Sequence, residues 1–373
     1  MKYLQFLIIL ILCLTQIWLL PGSANALESV ASQELIRVAI LKGADTVKLD
    51  GDVLSATDDS GKVTTLEPSS VFRSERGMVQ FGTRYSRTVR VASSEIVRVN
   101  GKSYRGLVEL SNQNGKLLVV NELPLEHYLV GVITSEISST WPMEAIKTQA
   151  VIARTYAVAK RKERSKAYYH LESTVMDQAY DGNGQEDSRA SRGVHETEGE
   201  VVSYNGSAIQ AFYHANSGGR TEASQNVWSV SLPYLQGVEC QYGLTSTTSN
   251  WQQSLPLSRI ESALKINGIL DIKAGPRNNR GRLKTVLLVT ERGNVTLPAT
   301  KFRMAIGSTV VKSTGFTVRV EGGSAFFSGS GYGHGVGLCQ YGAKQRALDG
   351  FTYAEILSYY YPGTRLSKLS DLK

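Results

Sequence analysis

Apolar residues along this chain recur first in short runs and later at helical spacing. Residues 35–41, 47–49, 63–66, 78–81, 89–91 and 96–99 are apolar or β-branched runs, parted by turn pairs such as Asp50-Gly51 and Asn100-Gly101. That punctuation predicts a small all-β module over residues 27–102. Residues 104–110 and 117–120 read as a hairpin closed across 112–115. The stretch 126–160, EHYLVGVITSEISSTWPMEAIKTQAVIARTYAVAK, then changes the pattern. Its start, 128–134, is apolar and β-branched with Gly131 inside, and predicts a strand. Glu136 follows as the chain leaves that strand, and Ser138, Ser139 and Thr140 supply a turn. Pro142 falls where a first helical turn needs no N–H, and Glu144 suits the positive end of that helix. Ile146, Ala150, Ala153 and Ala157 recur at helical spacing, and their small size lets another backbone approach. Glu136 is therefore expected at the junction of a buried strand and a buried helix. Partial desolvation there raises a carboxyl pKa and suits it to give a proton near neutral pH.

After a polar region at 160–191, which contains the stretch Gln178-Ala179-Tyr180-Asp181-Gly182, the pattern predicts a short helix at 189–197 and strands at 200–204 and 208–214. The second strand runs into Tyr213-His214-Ala215-Asn216-Ser217-Gly218-Gly219-Arg220-Thr221, a Gly-rich loop of the kind that builds sites on rigid scaffolds. A helix at 257–267 with Ser258 as N-cap, strands at 283–290, 294–297, 317–320 and 325–327, and a helical turn at 301–306 follow. The last motif, GSGYGHGVGLCQYGA, precedes helices at 343–349 and 353–361. The predicted fold class is α+β, with a mixed, mostly antiparallel sheet and a key helix in the body at 103–373, preceded by the β-rich module.

The chain has 373 residues, enough for roughly two domains of about 100–200 residues. Its net charge of +8 suits an anionic polymer or surface, but no arginine-rich tract or zinc knuckle points to nucleic acid. Lys2, an apolar run over 4–20, Pro21-Gly22 and the cleavage pattern Ala24-Asn25-Ala26 predict a signal peptide at 1–26, with the mature chain starting near Leu27. The expected location is therefore exported: periplasm, cell envelope or outside the cell. An uncleaved N-terminus is the one way this reading attaches the chain to a membrane. Cys240 and Cys339 remain in the exported chain, where they could pair or stay as two buried thiols.

Among chemistries, a metal centre finds no HExxH, HxH or CxxC spacing among His127, His170, His195, His214, His334 and the cysteines. A Cys339–His334 nucleophile pair is conceivable, but the apolar, Gly-rich flanks of Cys339 favour a structural thiol. No phosphate loop is present. The remaining candidate is a single placed carboxylate, Glu136. Glycosidases generally use two carboxylates, and no obvious partner accompanies it, with Glu144 on the following helix and Asp177 and Asp181 in a separate loop. One carboxylate suffices if the substrate supplies its own nucleophile, as muramic acid could through its C6 hydroxyl. A surface or capping carboxylate is the plainer alternative.

Three ordered motifs give the chain a family resemblance. SEISSTWPMEAIKTQAVIARTYA, AFYHANSGGRTE, and GYGHGVGLCQYGAKQRA followed by FTYAEILSYYYPGT resemble the sporulation stage II protein D / LytB family over about 104–366. The resemblance implies a peptidoglycan lytic transglycosylase that cleaves between N-acetylmuramic acid and N-acetylglucosamine without water, leaving 1,6-anhydro ends, with preference for peptide-stripped glycan. It implies Glu136 as acid/base, and Gln149, Arg154, His214, Ser217, Gly218, Gly219, Arg220, His334, Gln340 and Tyr341 as site-lining groups. Some relatives bind zinc through His and Cys near the Gln-x-Tyr region. Here that region offers His170 and no cysteine, so no metal or other cofactor is expected. The LytB side of the family implies an alternative, a non-catalytic wall-binding module that modifies a partner amidase. Lys147, Arg154 or Arg220 could pair with the lactyl carboxylate of stripped glycan, and Trp141, Trp228 and Tyr332 are candidates for sugar stacking.

Overall fold

Seven strands, taken from both sides of residue 102, form the largest sheet. Its order is Leu171–Glu172, Leu35–Ala44, Lys116–Pro124, Leu107–Gln113, Thr88–Ser93, Leu54–Asp58 and Val63–Leu66. A six-stranded sheet packs with it, from Lys102–Tyr104 through Val97–Val99, Thr46–Asp50, Ser69–Glu75 and Met78–Phe81 to Arg84–Ser86. Alternation sets the inner face: Val89 and Val91, and Val108 and Leu110, are wholly buried while Arg90 and Glu109 between them are not, and Leu117 and Val119 continue that face. The computed structural model describes residues 34–228, 230–242 and 249–373, so the signal peptide expected at 1–26 lies outside the described residues. No helix among the described residues is long and apolar enough to cross a membrane.

The architecture is α+β with mostly antiparallel sheets, as the patterning predicts. Two helices follow the large sheet: α1, Leu125–Glu136, and α2, Met143–Glu163. The first corrects the strand expected at 128–134. Leu125, Tyr128, Leu129, Val132 and Ile133 are the buried side chains, a spacing that keeps to one helical face, and Gly131 is buried beside them. Val130, Val132, Ile133 and Thr134 give this segment a β-like composition, but a helix buries its apolar stripe against α2, so packing overrides propensity. Helix α2 forms as expected, with Pro142 at its N-cap position, and is buried on nearly every side from Ala145 to Ala159. Against it pack α1, α3 (Ser188–His195) and the strand Glu200–Tyr204.

A second hydrophobic core occupies 251–327, between the two Gly-rich motifs, where the sequence pattern marks no separate unit. Two three-stranded antiparallel sheets enclose Trp251, Phe302, Phe316 and Phe327 together with two short helices, α5 (Leu257–Leu264) and α6 (Ala299–Ile306); α4 is the single turn Gln225–Trp228. The chain then returns through a parallel pairing of Tyr213–His214 with Leu338–Cys339 and ends in α7 (Gln340–Leu348) and α8 (Tyr353–Tyr360), both against α2. Gly337 permits that pairing: its φ is +74°, and a Cβ there would overlap the Phe212 carbonyl oxygen.

Candidate active site

Glu136 is the last residue of α1, half-buried where α1, α2, the loop at 178–182 and the start of α7 converge. Its Oε1 accepts a hydrogen bond from the Ala179 N–H at 2.8 Å. That loop reaches Glu136 because Gly131, on α1, lacks a side chain: a Cβ there would lie 2.5 Å from the Gly182 oxygen and 2.8 Å from the Tyr180 ring. Gln340 Nε2 lies 3.5 Å from Glu136 Oε2 and donates to Gln149 Oε1 at 3.3 Å, which joins α7, α1 and α2 at one point. Tyr213 also hydrogen-bonds the carboxyl. Its hydroxyl accepts from Gln178 Nε2 at 3.2 Å, and Gln178 Oε1 in turn accepts from Tyr128. Those bonds turn the Tyr213 proton toward Glu136. The turn after Glu136 is held by Arg189 of α3, which donates to the carbonyls of Ser139 and Trp141.

Burial pushes the Glu136 carboxyl above the ordinary carboxylate range, and the bonds from Ala179, Tyr213 and Gln340 pull partly against it. Tyr213 remains a donor throughout the physiological range, because burial and the facing Glu136 push its own pKa well up. The result is a carboxyl that can hold a proton nearer neutrality than a free one and can also accept one back. Tyr213→Phe removes one of the groups that lower this pKa. It is expected to move the Glu136 titration midpoint upward in 13C-detected carboxyl NMR; a downward movement would contradict the assignment.

The other predicted groups fall into separate places. Tyr341, half-buried beside Gln340, meets Trp141 edge-on at 5.3 Å between centroids, with Lys344 Nζ 5.3 Å from the Trp141 ring. Trp141 is nearly buried, so it serves packing, while Trp228 is 39% exposed. His214, the next residue along the strand, takes the face opposite Tyr213, and its ring lies 5.6 Å from that of His334, which bonds the Tyr213 backbone. His334 also meets Trp228 at 5.0 Å. Burial, with nearby cations, lowers both imidazoles, His334 to about 3, so both are neutral at physiological pH. Ser217, Gly218, Gly219 and Arg220 line a different cavity, with Arg220 paired to Glu239 at 3.0 Å. Tyr332 exchanges backbone bonds with Asn216.

Arg154 does not line the site. Its side chain is wholly buried behind it, bidentate to Glu126 at 2.8 and 2.6 Å and donating to the carbonyls of Val194 and Glu200. Lys147 is likewise engaged, by Glu144 and Glu196. Cys240 and Cys339 are two buried thiols. Cys339 Sγ accepts the Ser217 and Gly342 N–H groups at 3.3 Å, and burial pushes this thiol well up, away from the thiolate a nucleophile needs. His170 accepts the Arg37 N–H, and burial with Arg161 and Arg37 lowers it to about 4. A cation placed there would meet two cations already present. The groups that sequence reasoning missed are Tyr213, Gln178 and Ala179. Tyr213 adjoins His214 in one short strand, and strand alternation sends the two to opposite faces.

Residues 113–204, which include α1 and α2, match the family model described as Stage II sporulation protein, SpoIID. The chain belongs to the SpoIID/LytB family. Among its relatives is the amidase enhancer of Bacillus subtilis (strain 168), 34% identical over 328 residues, which are 74% of this chain and 46% of that protein. The chain thus spans less than half of that relative. Stage II sporulation protein D of the same organism is 27% identical over 266 residues, 67% of this chain and 76% of that protein. An uncharacterised protein of Brachyspira hyodysenteriae (strain ATCC 49526 / WA1) is 29% identical over 360 residues, 91% of this chain and 94% of that one. Glu136, Gln149 and Gln178 lie within the matched segment. Tyr213 and Gln340 come from beyond it, so the cluster needs the later motifs as well.

Proposed function

We propose that the protein is an exported peptidoglycan lytic transglycosylase. It cleaves the bond from N-acetylmuramic acid to N-acetylglucosamine, with Glu136 as general acid/base, and leaves a 1,6-anhydro end. The observation that carries this reading is one half-buried carboxyl, raised by burial and held by three neutral donors, with no second carboxylate among the described residues that act on it. Asp177, in the loop that leads to Ala179, is taken up by Arg164, Tyr156 and the Glu172 N–H. Protonated Glu136 gives its proton to the bridging oxygen as the muramic C1–O bond breaks, and the N-acetylglucosamine leaves as a hydroxyl. The muramic C6 hydroxyl then bonds to C1 and returns its proton to the carboxylate. Atoms balance without water, and the acid is regenerated.

The similarity to an amidase enhancer supports a second reading, a wall-binding modifier of a partner amidase. The two separate on one comparison: wild type and Glu136→Gln, each alone and each with a purified cell-wall amidase, on intact peptidoglycan. The transglycosylase reading expects strand cleavage by the wild type alone and none by the variant. Equal stimulation of the amidase by both proteins, with no cleavage by either alone, would favour the modifier.

A further inference from the structure

A cavity of about 400 Å³ opens where the Ser217–Arg220 loop faces the second core, walled by Arg220, Glu239, Gln241, Arg277, Arg280 and Arg282. Four guanidinium groups meet there. Glu239 answers two of them, Arg220 at 3.0 Å and Arg280 at 3.5 Å, and buried Glu222 lies 3.8 Å from Arg282. Among the described residues Arg277 bonds only carbonyl oxygens, those of Gly281 and Phe316, each at 2.6 Å. Carbonyls orient a guanidinium without neutralising it, so the cavity keeps an excess of positive charge. The arginines are also held in place. Arg282 is nearly buried and donates to the carbonyls of Gly333 and Ser217, and Arg280 donates to that of Gly237. Fixed guanidinium forks match a planar carboxylate and lose little freedom on binding it.

The cavity wall is connected to the Glu136 cluster. The Ser217 N–H bonds to Cys339 Sγ, and Cys339 immediately precedes Gln340.

We infer that this cavity is a carboxylate-binding subsite for the glycan, an inference that rests on the substrate reading above. The carboxylate has two possible sources, the lactyl group of a peptide-free muramic acid or the stem peptide of an intact one.

The test measures binding by calorimetry to the full mature chain carrying Glu136→Gln. Three probes are compared: a peptide-free N-acetylglucosamine–N-acetylmuramic acid tetrasaccharide, the same tetrasaccharide with stem peptides, and chitotetraose, which has no carboxylate. Arg280→Gln and Arg277→Gln are each expected to weaken a carboxylate-bearing probe about tenfold, the size of a lost charge-assisted hydrogen bond. Neither should change chitotetraose binding. Glu239→Gln is expected to tighten the carboxylate probes, a gain that a misfolded protein would not produce. Loss confined to the peptide-free probe assigns the lactyl source, and loss confined to the peptide-bearing probe assigns the stem. Unchanged binding of both carboxylate probes, or equal weakening of chitotetraose, overturns the subsite. Arginine-dependent binding by a wild type that cleaves nothing would retain the subsite and reject the transglycosylase reading. Cleavage with arginine-independent binding would do the reverse.

Discussion

Replacing Glu136 by glutamine is expected to remove glycan-strand cleavage while leaving the protein folded and glycan-binding. The carboxamide has nearly the same shape and can still accept the Ala179 N–H, but it cannot give a proton to a leaving oxygen or take one back. Loss of a positioned general acid typically costs about 10²- to 10⁴-fold in rate. Stability should move the other way or stay level. Burial raises the Glu136 pKa in the folded chain, so between the ordinary value and the raised one the folded state holds a proton that the unfolded state has released. Stability then falls as pH rises through that window, and the full cost persists at higher pH. Glutamine carries no such cost, so the variant's thermal midpoint at neutral pH should equal or exceed that of the wild type. Lost cleavage with a clearly lowered midpoint would mean that the side chain is structural.

Arg154→Ala is expected to show the opposite pattern, large in stability and small in chemistry. The substitution strands the Glu126 carboxylate and removes the guanidinium bonds to the carbonyls of Val194 and Glu200. Breaking a buried ion pair from one side costs about 3–5 kcal/mol. Glu126 is partly exposed, which favours the low end of that range. The thermal midpoint should drop by roughly 10 °C. Arg154→Lys should rescue little, because an ammonium cannot reproduce the fork to both Glu126 oxygens. Glycan affinity of the folded fraction should remain close to that of the wild type. An unchanged midpoint with affinity lost would return Arg154 to the substrate-facing side.

Glu136 and the helix after it were legible because their signals are local. Pro142, Glu144 and the small residues at helical spacing mark α2 directly, and a carboxylate just before that helix stands out by position. The segment before it misled for an equally local reason. Its β-branched residues favour a strand, while the spacing of Leu125, Tyr128, Leu129 and Val132 answers to a partner helix 7 residues further on, a tertiary fact. The same limit hid the role of Arg154. An arginine on an otherwise apolar helix looks like a ligand-facing charge until Glu126, 28 positions earlier, is seen closing on it. Tyr213 and Gln178 carry no role legible from the sequence, since nothing in their neighbourhood reveals that both reach Glu136 or its partners. The second core is not legible in the sequence because its short strands and helices look like those of the body around them; the separate clustering of Trp251, Phe302, Phe316 and Phe327 distinguishes it.

The measurement that bears most directly on Glu136 as a lone acid/base is the mass of the new chain ends when purified mature protein acts on peptide-stripped glycan strands in 18O-labelled water. The account predicts anhydro-muramic ends that carry no solvent oxygen, from the wild type and not from Glu136→Gln. Reducing ends bearing 18O would contradict it, because they require an attacking water and a second group to activate it.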